Sequence, residues 1–275
     1  MFQFVIMVRY RSLFHNDLKV SMYKTCCRET GGSAMCEKGA YQSPSTLVLM
    51  AVLNEEEGIG PTIAELKQYV GGTQFLVVDG RSRDGTVQIA KSLGADVIFQ
   101  EGKGKGDAIS HAIRHVNWDV DYVVLTDADY TYPAEFVPRM IKILEENQQV
   151  GMVCGNRFNS HLNWDAMRNP FYFGNRFLAF AHNVLNGVEM NDPLTGLRII
   201  RWNILKDWKP LSKGFDVEAE LNHRVENMGY QIVEIDICYR PRLGEKKLKL
   251  RHGFSILQRM IAESLPKHVQ VRVKD

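Results

Sequence analysis

Four short apolar runs between residues 46 and 126 alternate with helix-like stretches, and each run ends in a polar or acidic turn. The runs are Thr46–Leu53, Phe75–Val78, Asp96–Phe99 and Tyr122–Thr126. The first is apolar almost throughout, as expected of a strand covered on both faces. Pro61 to Tyr69, the stretch from the turn at 81–86 to about Leu93, and the stretch from the glycine–lysine loop 102–106 to about Val116 read as helices. Strands and helices alternating this closely predict a parallel α/β sheet, which binds ligands at the carboxyl ends of its strands. Asn54-Glu55, Asp79, the 102–106 loop and Asp127/Asp129 all fall at those ends.

The last of these ends carries the most chemistry. In Val123-Val124-Leu125-Thr126-Asp127-Ala128-Asp129, two carboxylates one residue apart close a strand. Side chains alternate along a strand, so Asp127 and Asp129 share a face. A divalent cation relieves their repulsion, and hard oxygen ligands suit Mg²⁺ or Mn²⁺, with water and phosphate oxygens completing the shell. Three chemistries compete for the pair. A haloacid-dehalogenase-type phosphatase shares the Asp127-x-Asp129-x-Thr131 spacing, with Asp127 as nucleophile. It would carry the motif on its first strand and a Gly-Asp-x-x-x-Asp downstream, which this chain lacks. A dinucleotide or phosphate-loop protein fits poorly, because glycines 102, 104 and 106 match neither G-x-G-x-x-G nor Gly-Lys-Ser/Thr. A nucleotide-sugar glycosyltransferase needs a pocket at the strand ends, a metal on the diphosphate and a cationic acceptor site. All three have candidates here.

Residues 1–45 lack periodicity and read as a variable, flexible extension, with a short membrane-surface arm as the alternative because Phe2, Phe4, Val5 and Met7 lie near Arg9 and Arg11. Residues 46–250 form the sheet-bearing domain, and 251–275 an amphipathic C-terminal segment. Past Pro133, a helix is expected over Pro138–Asn147, strands near Val150–Cys154 and Gln231–Ile237, and a helix that starts with Gly214–Leu221 and runs to about Met228. The stretch Arg168–Val188 is rich in phenylalanine. It reads either as a core helix or as an interfacial helix with aromatics among lipid headgroups. Phe254–Leu265 repeats that amphipathic pattern. Glu218 and Glu220 read more simply as charges at a helix N-terminus than as general bases. Glu56, Glu57 and Lys246 read as solvated.

A formal net charge of +2 argues against a nucleic-acid partner bound through bulk charge. No run of about 18 apolar residues is present, and the N-terminus lacks signal-peptide features. The five cysteines form neither a zinc spacing nor an even disulfide framework and read as free thiols in a reducing compartment, which points to the cytoplasm.

Eight motifs in order carry a resemblance over about residues 46–250: LNEEEGI at 53–59, VVDGRSRDGT at 77–86, GKGKGDAI at 102–109, TDADYTYP at 126–133, GNRF at 155–158, DPLTGLRIIR at 192–201, GFDVEAEL at 214–221 and YRPRLGEKKL at 239–248. The chain resembles the family 2 glycosyltransferases of the GT-A fold, and within them the dolichyl-phosphate (polyprenyl-phosphate) sugar synthases. The resemblance implies that Ala51, Leu53 and Glu55 border the nucleotide, that Asp79 meets base or ribose, and that Lys105 helps nearby. It makes Asp127, Asp129 and Thr131 the metal side, with Asp127 shared with the nucleotide. Arg157, Arg168 and Arg198 would contact donor or acceptor phosphates, with Arg242 and Lys247 on a loop that closes over them. Asp127, Asp129, Arg157 and Arg198 are thus the expected catalytic set. Two departures stand out: Ala51 where proline is common and Gly80 where a second aspartate is common. The implied partners are a nucleotide-sugar donor, a lipid-phosphate acceptor, the cytoplasmic face of a membrane reached through the two amphipathic helices, and a membrane-anchoring subunit. A soluble or glycan hydroxyl acceptor is the alternative, and a non-catalytic scaffold the remote one.

Overall fold

The computed structural model describes residues 44–115, 119–158, 170–186, 189–245, 247 and 250–265. The N-terminal extension, Arg168 and Lys246 lie outside them. Seven strands form one sheet: β1 (Thr46–Val52), β2 (Gln74–Asp79), β3 (Asp96–Phe99), β4 (Tyr122–Leu125), β5 (Val150–Asn156), β6 (Arg198–Arg201) and β7 (Gln231–Asp236). Their order is β3-β2-β1-β4-β6-β5-β7. Among the described strands only β6 runs antiparallel to its neighbours, β4 and β5. The helices are α1 (Glu56–Tyr69), α2 (Thr86–Ser92), α3 (Lys105–His115), α4 (Val137–Glu146), α5 (Pro170–Asn186), α6 (Trp202–Leu205), α7 (Val217–Asn227) and α8 (Leu250–Ser264).

The period of two along each strand explains why the runs look continuously apolar. Val48, Met50 and Val52 of β1 join Val77, Val124, Val153 and Ile199 on one face, under Ile59, Ile63 and Leu66 of α1 and Met140 and Leu144 of α4. Leu47 and Leu49 join Leu76, Val78, Val123 and Leu125 on the other, under Ala108 and Ile109 of α3 and Leu221 and Val225 of α7. Both faces are covered, so neither needs polar residues. A third cluster, with Leu178 of α5, Ala219 of α7, and Ile256 and Met260 of α8, ties α5 and α8 to the body.

α1 begins at Glu56, five residues before the expected start at Pro61. Proline there forfeits one backbone bond near the helix start, and the Thr62 hydroxyl donates to the Gly58 carbonyl at 2.8 Å nearby. The early start carries Gly58 against the acidic motif: a side chain at Gly58 would lie 2.5 Å from the Ala128 carbonyl oxygen. Only glycine lets the helix approach so closely. α8 likewise begins four residues before the expected Phe254.

Candidate active site

The turns after β1, β2 and β4 each contain a non-glycine residue in the left-handed region: Asn54 (φ 49°), Arg81 (φ 68°) and Tyr130 (φ 64°). Such conformations persist where the surroundings impose them. Here the turns are laced together. Asn54 N–H donates to Ser82 Oγ and Arg83 N–H to Asn54 Oδ1, both at 2.8 Å. Asp79 is wholly buried and accepts from Ser82 N–H (2.8 Å) and Oγ (2.5 Å). It therefore shapes the turn from behind, while Leu53 stands exposed beside it and Ala51 is half-buried. Glu56 is exposed but not merely solvated, since it accepts from Gly85 N–H at 2.8 Å.

Asp127 and Asp129 follow β4, and each meets a cation. Lys105, from the start of α3, places Nζ 2.7 Å from Asp127 Oδ1 and 2.8 Å from Glu218 Oε1 of α7. Arg242 Nη1 lies 2.9 Å from Asp129 Oδ2, and its Nη2 bonds Glu55 Oε1. Lys247 Nζ donates to the Asn54 carbonyl at 2.8 Å and lies 3.5 Å from Glu55 Oε1. Burial raises the Asp127 carboxyl, but the Lys105 ammonium overrides it and leaves the pKa below the ordinary value. Burial, then the Asp127 charge, push Asp129 above it. Gly196 backs Asp127 so closely that any side chain there would strike its carboxylate.

The loop carrying Arg242 is pinned on the motif. Arg240 N–H donates to the Thr131 carbonyl and Leu243 N–H to the Asp129 carbonyl, both at 3.0 Å. Arg240 also pairs with both oxygens of Glu65, at 2.6 and 2.8 Å, and lies over the Tyr130 ring.

Three sequence expectations change. Arg198 is 1 % exposed, and its nitrogens donate to the carbonyls of Thr195 (2.8 Å) and Pro193 (2.6 Å) and to Asn222 Oδ1. It braces the 192–197 loop from inside and cannot reach a phosphate. Thr131 is buried, and its hydroxyl donates to Asp129 Oδ1 at 2.6 Å, so it orients the carboxylate. Glu218 does not idle at a helix terminus, because it holds Lys105. Glu220 instead accepts from Leu211 and Ser212 N–H, at 2.8 and 2.7 Å. Arg157 keeps a place by the site, stacked near Tyr239, but its fork grips Asp192 at 2.6 and 2.8 Å. At the start of α3 two N–H groups are already engaged within the chain: Gly106 and Asp107 N–H donate to the Gly214 and Lys213 carbonyls.

Sequence reading missed Arg240, Asp192 and the roles of Gly58 and Gly196. A glycine just inside a helix start, with no turn to explain it, was the one available signal.

Whether a divalent cation fits is decided by the donor set. Among the described residues no cluster of three or more His, Cys, Asp or Glu could hold a metal. Two carboxylates without imidazole or thiolate suit a hard cation that takes its remaining ligands from water and phosphate. Buried, unpartnered Arg242 Nε and Glu55 Oε2 beside the pair are consistent with a polar ligand there.

A mostly parallel sheet with an acidic pair at a central strand end, cradled by basic side chains, is the GT-A arrangement of a glycosyltransferase. The chain belongs to glycosyl transferase family 2, whose match spans residues 47–208. It is 35 % identical over 211 residues to a dolichyl-phosphate hexose transferase of Haloferax volcanii, covering 76 % of this chain and 88 % of that protein. It is 32 % identical to glycosyltransferase AglJ of the same organism, covering 71 % of this chain and 63 % of the relative. Among solved structures, glucosyl-3-phosphoglycerate synthase of Mycobacterium tuberculosis, in complex with Mg²⁺ and UDP, superposes with a TM-score of 0.63 at 21 % identity, covering 80 % of this chain and 78 % of that one. At that identity the likeness is one of fold.

Proposed function

We propose that this glycosyltransferase is metal-dependent and inverting, and moves a sugar from a nucleotide sugar to a polyprenyl or dolichyl phosphate at the cytoplasmic face of a membrane. The observation that carries the acceptor is the outer face of α5 and α8. Phe173, Phe177, Phe180 and Val184 are 59–70 % exposed, at spacings of four, three and four residues that put them on one face of α5. Phe254 and Ile261 do the same on α8, with Leu265 just beyond it. Arg176, exposed on α5, lies over the Phe158 ring beside Arg157. Aromatics with an arginine among them match a headgroup layer. No described helix is long and apolar enough to cross a membrane. The dolichyl-phosphate name of the Haloferax relative supports the same acceptor class.

In this reading Asp127 and Asp129 would hold Mg²⁺ or Mn²⁺, and the cation would supply positive charge for a departing nucleoside diphosphate. Arg242 and Lys247 cover the diphosphate, with Leu53 and Ala51 at the nucleotide. The acceptor phosphate is already anionic, so it needs positioning more than deprotonation. Arg176 and Arg168 are its proposed contacts, with Arg157 beside them adding charge while Asp192 holds its fork, and an anchoring subunit would add to the membrane attachment. A phosphate oxygen forms the new bond at the anomeric carbon while the bond to the diphosphate oxygen breaks from the opposite face. The second reading, a hydroxyl acceptor, is favoured by one feature. Glu218 is buried, and its Oε2 has no partner, as a general base would require.

The test offers the purified chain GDP-mannose, UDP-glucose and UDP-N-acetylglucosamine, with dolichyl phosphate in liposomes or with soluble acceptors. A lipid-linked product, together with flotation of the protein on anionic liposomes, is expected. Transfer to soluble acceptors alone, by a protein that does not float, would overturn the lipid reading.

A further inference from the structure

We infer that Arg242 is a tethered competitor for the metal at Asp129, and that divalent cation and nucleoside diphosphate therefore bind this chain as a coupled pair. The inference rests on the metal reading of Asp127 and Asp129 proposed above. Asp129 Oδ1 is occupied by the Thr131 N–H and hydroxyl, at 3.2 and 2.6 Å. The oxygen left for a cation is Oδ2, which Arg242 holds at 2.9 Å. A guanidinium does not lose its proton, so it leaves a carboxylate only by finding another anion.

The loop is built to permit that exchange. Its backbone is fixed by the Arg240 and Leu243 bonds to the carbonyls of Thr131 and Asp129. The guanidinium can therefore let go while the loop stays in place. Glu55 provides a second anchor, so Arg242 need not swing into solvent. Arg242 Nε is buried with no partner, one donor short of a full set. A diphosphate would engage the planar fork in two parallel bonds, the geometry that carboxylate and phosphate share. Lys105 is placed differently. It is shared between Asp127 Oδ1 and Glu218 Oε1, and its position depends on both.

A divalent cation arriving alone meets a fixed positive charge on its ligand. Arriving with a diphosphate, it meets a carboxylate from which the competitor has been drawn off. Reciprocity then requires each to tighten the other by the same factor.

The experiment measures Mn²⁺ affinity by calorimetry without nucleotide, and GDP and UDP affinity with and without saturating Mn²⁺. The proteins are wild type, Arg242→Gln and Arg240→Gln, with Arg242→Met replacing a glutamine variant that does not fold by circular dichroism. Arg242→Gln is expected to bind Mn²⁺ alone about tenfold tighter than wild type and to lose most of the Mn²⁺–nucleotide coupling. Arg240→Gln loosens the same loop at Glu65 and Tyr130 but leaves the competitor, and is expected to track wild type. Unchanged Mn²⁺ affinity in Arg242→Gln, or an equal gain in Arg240→Gln, overturns the inference. Wild type that binds no Mn²⁺ even with nucleotide removes the metal reading, and the inference with it.

Discussion

The two faces that this chain turns to its surroundings are finished in opposite ways. At the carboxyl ends of β1 and β4 the carboxylates sit in a lattice of internal partners: Glu55 with Arg242, Asp127 with Lys105, Asp129 with Arg242 and Thr131. On the outer side of α5 and α8, large aromatics are left uncovered, although the inner sides of the same helices are packed around Leu178 and Met260. Charge inside a protein is costly unless partnered, so the acidic site is assembled before any ligand arrives. Apolar surface needs only to leave water, so its partner can be a bilayer supplied from outside. In the proposed function, the first face carries geometry and the second carries location.

The largest effect that tests this contrast is on chemistry without folding. Asp129→Asn is expected to lower transfer about 10³-fold while the circular dichroism spectrum and Tm stay near wild type, because the change also relieves repulsion from Asp127. EDTA is expected to abolish wild-type transfer and Mn²⁺ to restore it; activity that survives in EDTA would remove the metal. The converse effect is on location without chemistry. Phe177→Glu with Phe254→Glu is expected to weaken liposome binding roughly hundredfold and leave hydrolysis of the nucleotide sugar unchanged. Equal flotation of variant and wild type would show that the face has another use.

Acid tests the seam between the two regions. His182 of α5 is wholly buried against Asn222 of α7, and burial, reinforced by Arg198 and His223, lowers its pKa to about 4. The folded chain resists a proton that the unfolded chain accepts near pH 6.5. The stabilisation from neutral His182 is thus complete above that pH and is lost as pH falls towards 4. Urea unfolding at pH 7 and pH 5 should differ by about 2 kcal/mol more in wild type than in His182→Gln. Parallel pH profiles would show that His182 does not titrate in this way. The smallest expected effect is Glu65→Gln, which breaks a partly exposed pair with Arg240 and should cost about 1 kcal/mol in urea midpoint analysis. A loss several times larger would mean that the loop is held mainly by that pair.

The sheet was legible because strands buried on both faces must be apolar at every position, and Thr46–Val52 shows that without any partner in view. The acidic pair was legible because two carboxylates at a strand end need no distant residue to be chemically unusual. Arg157 and Arg198 were not legible in the same way. An arginine in sequence reads as a phosphate ligand, and only the chain brought back from positions 192–195 and 222 shows Asp192 and three acceptors already in its grasp. Glu218 was misread for the same reason, since its partner Lys105 lies more than a hundred residues away.

The sequence by itself determined the alternation of strands and helices, the strand-end position of Asp127 and Asp129, and the amphipathic character of α5 and α8, because these depend on local periodicity and residue chemistry. Tertiary structure decided which cations are committed and which are available. A charge is defined by what stands within about 4 Å of it, and for Lys105, Arg157, Arg198 and Arg242 those neighbours come from distant parts of the chain.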